Sequence, residues 1–438
     1  MLTQQQKNIY LTPINKPIKA ILDLPGSKSI ANRVLPLAAI ADGISIIHNI
    51  PDVAEDVQLM LEALVELGIK ITKLSTALNG CSSYQIEGCG GKFPKASADL
   101  FLGNSGTSIR FLSAILAVSS GEYSLTGIQR MKERPIGDLV NALCQLGCNI
   151  TYLENEAYPP LQISPFCDNQ IKQISISGKI SSQYLTGLLL AMPLLGREIQ
   201  IKIYDELISR PYVEITLALL KLFAIEVVEL ETNLFAIKTN SGYKATEYTV
   251  EPDASSASYF LAMATLAGQV QINNLSANSL QGDKNFAQVL ALMGSEVKYA
   301  SDYIECRQAK NLIAIDVDME DMPDVAMTVA ILALFAEGVT TIRGIASWKV
   351  KETDRLIAIA TELTKLGATV NYTNDSISIL PPQQINSNIA IDTYNDHRMA
   401  MCFSLLAVGG ISVVINDFSC VGKTFANYFE LFDMVVYQ

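Results

Sequence analysis

Only two histidines, His48 and His397, and a single tryptophan, Trp348, occur in the 438 residues of this chain. So few imidazoles leave little to ligate a transition metal, and the eight cysteines, at 81, 89, 144, 148, 167, 306, 402 and 420, include no CxxC pair to replace them. No zinc site is expected, and the thiols read as small apolar residues kept reduced. No apolar run reaches the roughly 18–20 residues that cross a bilayer. The richest stretch, Tyr184 to Leu195, is shorter and is interrupted by Thr186 and Pro193. The opening MLTQQQKNIYLTPINK has neither the apolar core of a signal peptide nor the Arg-rich pattern of a transit peptide, so a cytoplasmic protein without membrane association is expected. Basic residues are in the minority, 32 Lys and Arg against 44 Asp and Glu, for a formal charge of −12. A general nucleic-acid surface needs a broad basic face and is excluded on that ground. Any anionic ligand must be met by a local cluster of Lys and Arg.

What the chain has in abundance is apolar residues, 49% of the total, enough for two or three globular cores. They fall into six helical segments that each run into a glycine: ANRVLPLAAIADG at Gly43, SIRFLSAILAVSSG at Gly121, SQYLTGLLLAMPLLG at Gly196, SASYFLAMATLAG at Gly268, VAMTVAILALFAEG at Gly338 and HRMAMCFSLLAVGG at Gly410. The glycines recur at intervals of 70–78 residues, and each suits the left-handed position that closes a helix. About 25–30 residues beyond each of the first five comes a second helix ending in ELGIKI, QLGCNI, LFAIEV, LMGSEV or KLGATV. β-Branched runs such as ISII, IQIKI, TTI and SVVI lie between and read as strands.

The repeated unit is therefore strand, helix, strand, helix, strand, strand, an α/β fold of six βαβαββ repeats. Only 28 residues follow Gly410, while strand-like IYLTPI and IKAILDL precede the first repeated helix, so the two ends are expected to complete one unit together. That predicts one domain from residues 1–22 and 253–438 and another from 23–252, three units each, with a hinge and a cleft between them. A purely structural solenoid is the rival class, but solenoid repeats carry similar caps. Here the six helix starts differ: PGSKSIANR (25–33), GNSGTSIR (103–110), SSQ (181–183), PDASSAS (252–258), MPDVAM (322–327) and NDHRM (395–399).

Ser, Thr, Asp and Asn at such positions are ordinary N-caps when taken singly. Taken together, they put several electropositive helix ends in corresponding places of repeated units, an arrangement suited to anions. In GSKS, Gly26 permits close backbone approach, Ser27 and Ser29 offer hydroxyls, Lys28 supplies charge, and Arg33 lies about one turn along. The pattern lacks the GxxxxGK[ST] of a P-loop, so a nucleoside triphosphate is not implied. RMKERPIG (130–137) and WKVKETDR (348–355) are dense in charge and read by default as solvated loops, whereas the charged triplet of NDHRM opens an otherwise apolar helix.

GSKSIANR, LFLGNSGTSIR, MKERPIG, ISSQYLTGLLL, PDASSASYFLA, MPDVAMT, VKETDR, YNDHRMAMCFS and KTF, in this order from Gly26 to Phe425, resemble the successive signatures of the 5-enolpyruvylshikimate-3-phosphate synthase family. The resemblance implies the two-domain enolpyruvyl transferase fold and the transfer of enolpyruvyl from phosphoenolpyruvate to the 5-hydroxyl of shikimate 3-phosphate, with no metal or cofactor. It also implies site residues. Lys28, Ser29, Arg33, Ser181, Ser182, Gln183, Ser209, Asp324, Ser347 and Lys351 would bind shikimate 3-phosphate, with Tyr212 beside its ring. Lys28, Asn104, Gly106, Arg134, Gln183, Arg355, Arg398 and Lys423 would bind phosphoenolpyruvate, in a pocket that glyphosate also occupies in this family. Asp324, Glu352, Lys351 and Lys28 would be catalytic. A monomer is expected, because the family's site is complete within one chain.

Two positions depart from the family pattern. Phe111 stands where Pro is common, so the helix bearing Asn104 and Gly106 is expected to start at a slightly different angle, which bears on inhibitor fit. Ser347 stands where Asn is often found and shortens one contact to shikimate 3-phosphate. The related transferase acting on UDP-N-acetylglucosamine usually has a reactive cysteine in the loop before its Arg-Pro pair, and Gly127 to Pro135 contains none. The RNA phosphate cyclase relative needs a nucleotidyl-transfer histidine and an ATP site that these motifs do not supply. His48 reads as structural; His397 either shapes Arg398 or acts in the site.

Overall fold

The computed structural model describes residues 7–77, 79–238 and 242–437. Each repeat folds as a small mixed sheet. In one, Ser97–Phe101 runs parallel to Glu122–Thr126 and is joined to it by the helix Gly106–Ala117. The helix Gly137–Gln145 then leads into the hairpin Asn149–Tyr152 and Leu161–Ser164, whose last strand pairs antiparallel with Glu122–Thr126. Parallel neighbours need such a helical crossover, whereas antiparallel ones need only a turn, so the connection types follow from the strand directions. Among the described residues the same first-second-fourth-third strand order recurs in four of the five four-stranded sheets; in the fifth the outer place of the first strand is filled by the last, Glu247–Thr249, and the remaining sheet has three strands.

The chain divides into two compact units, Pro25–Glu251 and Met1–Leu24 with Pro252–Gln438. In the first, Glu247–Thr249 provides the parallel strand beside Ile44–Ile50. In the second, Ile18–Leu22 takes that role beside Gly268–Asn273. The three-stranded sheet joins the chain ends, with Asn8–Leu11 antiparallel to Val413–Asn416, which is parallel to Ile389–Ile391.

The first helix of a repeat is buried nearly all round. In Gly106–Ala117 only Thr107 escapes full burial, and in Ser182–Ala191 only Gln183 does. This explains apolar segments with no polar stripe. A helix enclosed along its length can offer polar groups only at its ends, which is where the reactive sets stand. The second helices are amphipathic; Glu55–Glu66 buries Asp56, Val57, Met60, Ala63 and Leu64, a single stripe. No helix among the described residues is long and apolar enough to cross a membrane.

Five of the six repeat glycines have positive φ, and Gly121 does not. Its requirement is space, since a Cβ there would lie 2.3 Å from the Tyr123 hydroxyl oxygen. The second marker shows the reverse case. Gly68, Gly147, Gly294 and Gly367 have φ near 90–105°, and the corresponding residue of LFAIEV, the exposed Ala224, sits at φ 63°. It closes Pro211–Leu222 with Ala224 N donating to Lys221 O and Ile225 N to Leu220 O. A β-carbon costs about 1–2 kcal/mol in this conformation. Ala224→Gly should therefore stabilise the unit by about 1 kcal/mol after the entropic cost of glycine. A higher urea midpoint checks this; an unchanged or lower one contradicts it.

Candidate active site

In the unit 25–251, the buried helix Lys28–Ile40 begins at Ser27, which has no side-chain cap bond. Gly26 packs its backbone against the chain itself, because a Cβ there would lie 1.9 Å from Asn49 O. Lys28 Nζ is 3.0 Å from Asp56 Oδ2, a carboxylate only 2% exposed. One turn on, Arg33 is buried and donates from Nη1 to Ser29 O (2.6 Å), from Nε to Thr216 Oγ1 (2.9 Å) and from Nη2 to Tyr212 O (3.2 Å). Burial lowers its pKa to about 10. Thr216 and Tyr212 belong to the helix Pro211–Leu222, preceded by the buried Ser209 at φ 53°. The Arg33 guanidinium lies 5.2 Å from the centre of the Phe111 ring. Phe111 is fully buried within Gly106–Ala117, so the departure from proline adds an aromatic floor beneath Arg33.

That helix starts at Ser105, again without a side-chain cap bond. Arg134 lies across the start and donates from Nη1 to Asn104 O at 2.9 Å and Oδ1 at 3.2 Å. A Cβ on Gly106 would be 2.6 Å from Arg134 Nη2, so the glycine makes room for a guanidinium. Arg110 donates from Nη1 to Gln183 Oε1 (2.6 Å) and from Nη2 to Pro135 O (2.9 Å). Ser181 caps Ser182–Ala191 by accepting from Gln183 N at 3.3 Å.

In the unit of residues 7–24 and 252–437, four cations meet three carboxylates. Asp324 Oδ1 accepts from Lys351 Nζ (3.1 Å) and Arg355 Nη1 (3.0 Å), and its Oδ2 accepts from Arg398 Nη2 (2.9 Å). Arg355 also donates to Asp396 Oδ2 (2.7 Å) and Glu352 Oε2 (2.9 Å). Lys423 Nζ lies 3.9 Å from Glu352 Oε1. Asp396 caps the helix His397–Phe403 through Arg398 N at 2.9 Å, and the His397 ring is 3.5 Å from the same carboxylate. Trp348 Nε1 donates to Pro323 O at 2.8 Å and so ties the segment of Ser347 and Lys351 to that of Asp324. The Ser347 Oγ is buried without a protein partner.

Burial by itself would raise Asp324, yet Arg398, Lys351 and Arg355 hold it well below the usual carboxylate range. Burial lowers Lys351, against the pull of Asp324. The neighbouring Asp283 is pushed up to about 6, by burial first and then by the charge of Asp324; Ser255 donates to it. The centre is thus an ionised carboxylate gripped by three cations, with a second carboxyl of raised pKa nearby.

Within this second unit, the sequence-derived residues Asp324, Lys351, Glu352, Arg355, Arg398 and Lys423 stand in one connected ion network. In the first, Lys28 and Arg33 form one group and Asn104, Gly106, Arg134 and Gln183 another, joined by the Arg33–Phe111 contact and by Ser108 Oγ, which donates to Asp56 O at 3.4 Å. Sequence reasoning assigned nothing to Asp56, Arg110, Tyr259 or Asp396. Arg110, Tyr259 and Asp396 lay inside motifs already singled out. Tyr259 accepts from Arg398 Nη1 at 3.1 Å. Asp56 pairs with Lys28 across 28 residues and lay outside every motif.

Residues 13–432 match the family model described as EPSP synthase (3-phosphoshikimate 1-carboxyvinyltransferase). The 3-phosphoshikimate 1-carboxyvinyltransferase of Paraburkholderia phymatum is 48% identical over 418 residues, 93% of this chain and 95% of that one. That of Shewanella sediminis is 47% identical over 429 residues, 97% of this chain and 99% of its own. The EPSP synthase structure from Acinetobacter baumannii superposes with a TM-score of 0.80 at 26% identity, covering 98% of each chain. This chain belongs to the EPSP synthase family, and its activity is 3-phosphoshikimate 1-carboxyvinyl transfer, a step of the shikimate pathway.

Proposed function

We propose that the two sets of residues act on one pair of substrates and that the cation-gripped carboxylate Asp324 is the centre of the chemistry. Lys28, Ser29, Arg33, Ser181, Ser182, Gln183 and Ser209, with Asp324, Ser347 and Lys351, hold shikimate 3-phosphate. Arginine has five donors, so the three that Arg33 gives to the protein leave others for the ligand. Lys28, Asn104, Gly106, Arg134, Gln183, Arg355, Arg398 and Lys423 hold phosphoenolpyruvate, whose phosphate and carboxylate suit planar guanidinium donors.

The observation that carries this reading is the triple contact of Asp324 with Lys351, Arg355 and Arg398. While it holds three cations, Asp324 is a weak base. Phosphoenolpyruvate competes for Arg355 and Arg398, and each guanidinium it draws away raises the proton affinity of Asp324. Asp324 then takes the proton of the 5-hydroxyl while Glu352, assisted by Lys351, protonates the methylene carbon. The 5-oxygen bonds to the cation-like C2, giving a tetrahedral ketal phosphate. The traffic then reverses: Glu352 takes back a methyl proton as the double bond re-forms and the C–O bond to phosphate breaks, and the proton held by Asp324 passes to the departing phosphate, which Lys28 and the arginines stabilise. The protein works as a monomer in the cytoplasm: every named residue lies in one chain, and its eight free thiols suit a reducing compartment. The absence of cysteine from Gly127 to Pro135 disfavours the UDP-N-acetylglucosamine reaction.

Asp324→Asn and Glu352→Gln should each lower turnover by about 10²–10⁴-fold in phosphate-release assays with both substrates, the range for a lost general acid or base. Dissociation constants should change much less. If either mutant loses thermal stability but keeps near-parental turnover, its carboxylate is only a structural partner of Arg355.

Gly106→Ala should displace Arg134, since the added methyl falls 2.6 Å from Nη2. The Michaelis constant for phosphoenolpyruvate should rise about tenfold, equivalent to about 1.4 kcal/mol, and glyphosate inhibition should weaken with it. An unchanged constant together with unchanged inhibition would show that Arg134 does not meet this ligand.

A further inference from the structure

The last residue of GNSGTSIR, Arg110, has no role in the reading above, yet it is 4% exposed and its guanidinium is held on three sides. Nη2 donates to Pro135 O at 2.9 Å, a carbonyl that also accepts from Tyr184 Oη at 2.6 Å. The guanidinium carbon lies 5.1 Å from the centre of the Tyr184 ring, and Tyr184 is fully buried. With the fork fixed in this way, Nη1 meets Gln183 Oε1 at 2.6 Å. Arginine has only donors, so this contact decides which end of the Gln183 amide is oxygen.

We infer that Arg110 is a positioning residue that occupies the Gln183 carbonyl oxygen, so that the amide presents only its NH₂ group, a donor, to anionic substrate. A free glutamine amide turns over readily and would present its acceptor oxygen to an anion part of the time. The inference rests on the assignment of Gln183 to phosphoenolpyruvate and shikimate 3-phosphate. It goes further by naming what makes that residue selective for anions.

The test is a double-mutant cycle with Arg110→Lys, Gln183→Ala and the pair, measuring both Michaelis constants, turnover and melting temperature. Arg110→Lys keeps the charge but loses the fork, and should raise the Michaelis constant for phosphoenolpyruvate about tenfold with turnover within about threefold. In the Gln183→Ala background the same change should add less than about threefold, because there is no amide left to orient. A full additional tenfold overturns the inference while leaving Gln183 in the site. Unchanged constants in Gln183→Ala alone remove Gln183 from the site and overturn both.

Gln183→Glu keeps an oxygen for Arg110 and covers the case in which Arg110→Lys does not fold. Its melting temperature should match or exceed the parent's, because Arg110 gains an ion pair, while its constant for phosphoenolpyruvate should rise beyond that of Gln183→Ala. A Gln183→Glu protein that binds better than Gln183→Ala, or melts below the parent, contradicts the inference.

Discussion

Asp324 cannot lose its three cations without leaving charges unpaired inside the protein, and much of the second unit is arranged around that fact. Its partners come from different segments: Lys351 and Arg355 from the VKETDR run and Arg398 from the start of His397–Phe403. Removing one partner of a buried pair strands the other at a cost of about 3–5 kcal/mol. The network therefore fixes these segments relative to one another, with Asp396 and Trp348 as further ties. A site dedicated to anions uses the same property in reverse, since cations held by a protein carboxylate are ready to be held by a ligand's.

The placement of that network follows from burial. The first helix of each repeat is enclosed along its length, so its reactive polar groups gather in the first turns. The six starts then diverge in the way each is finished. Ser181, Asp253 and Asp396 cap their helices by side chain, whereas Ser27 and Ser105 make no such bond. Near Val325, the cap position of Ala326–Leu332, Asp324 turns its carboxylate to cations. One fold repeated six times thus carries separate duties because a helix start can change without disturbing the enclosed body behind it.

The period, the βαβαββ order and the charged helix starts were legible in the sequence because each depends on residues close in the chain: an apolar helix, its closing glycine, a β-branched run. Torsions and neighbours were less so. Gly121 was expected to be left-handed and instead makes room for Tyr123, and Gly26 was read as a place for ligand approach and instead faces Asn49 O. Phe111 was read as a change of helix angle, and its ring lies under Arg33. Side chains that act on other side chains were hardest to see. Arg110 reaches Gln183 across 73 residues, and Tyr259 reaches Arg398 across 139, distances at which no local pattern operates.

The exchange of cations between Asp324 and substrate is the central claim, and a crystal structure with shikimate 3-phosphate and an unreactive anionic analogue of phosphoenolpyruvate tests it directly. The account predicts Arg355 and Arg398 donating to the analogue, and at least one of the three cations now more than 4 Å from Asp324, whose carboxylate faces the 5-hydroxyl. An analogue bound elsewhere, with all three contacts to Asp324 still near the present 2.9–3.1 Å, would contradict it.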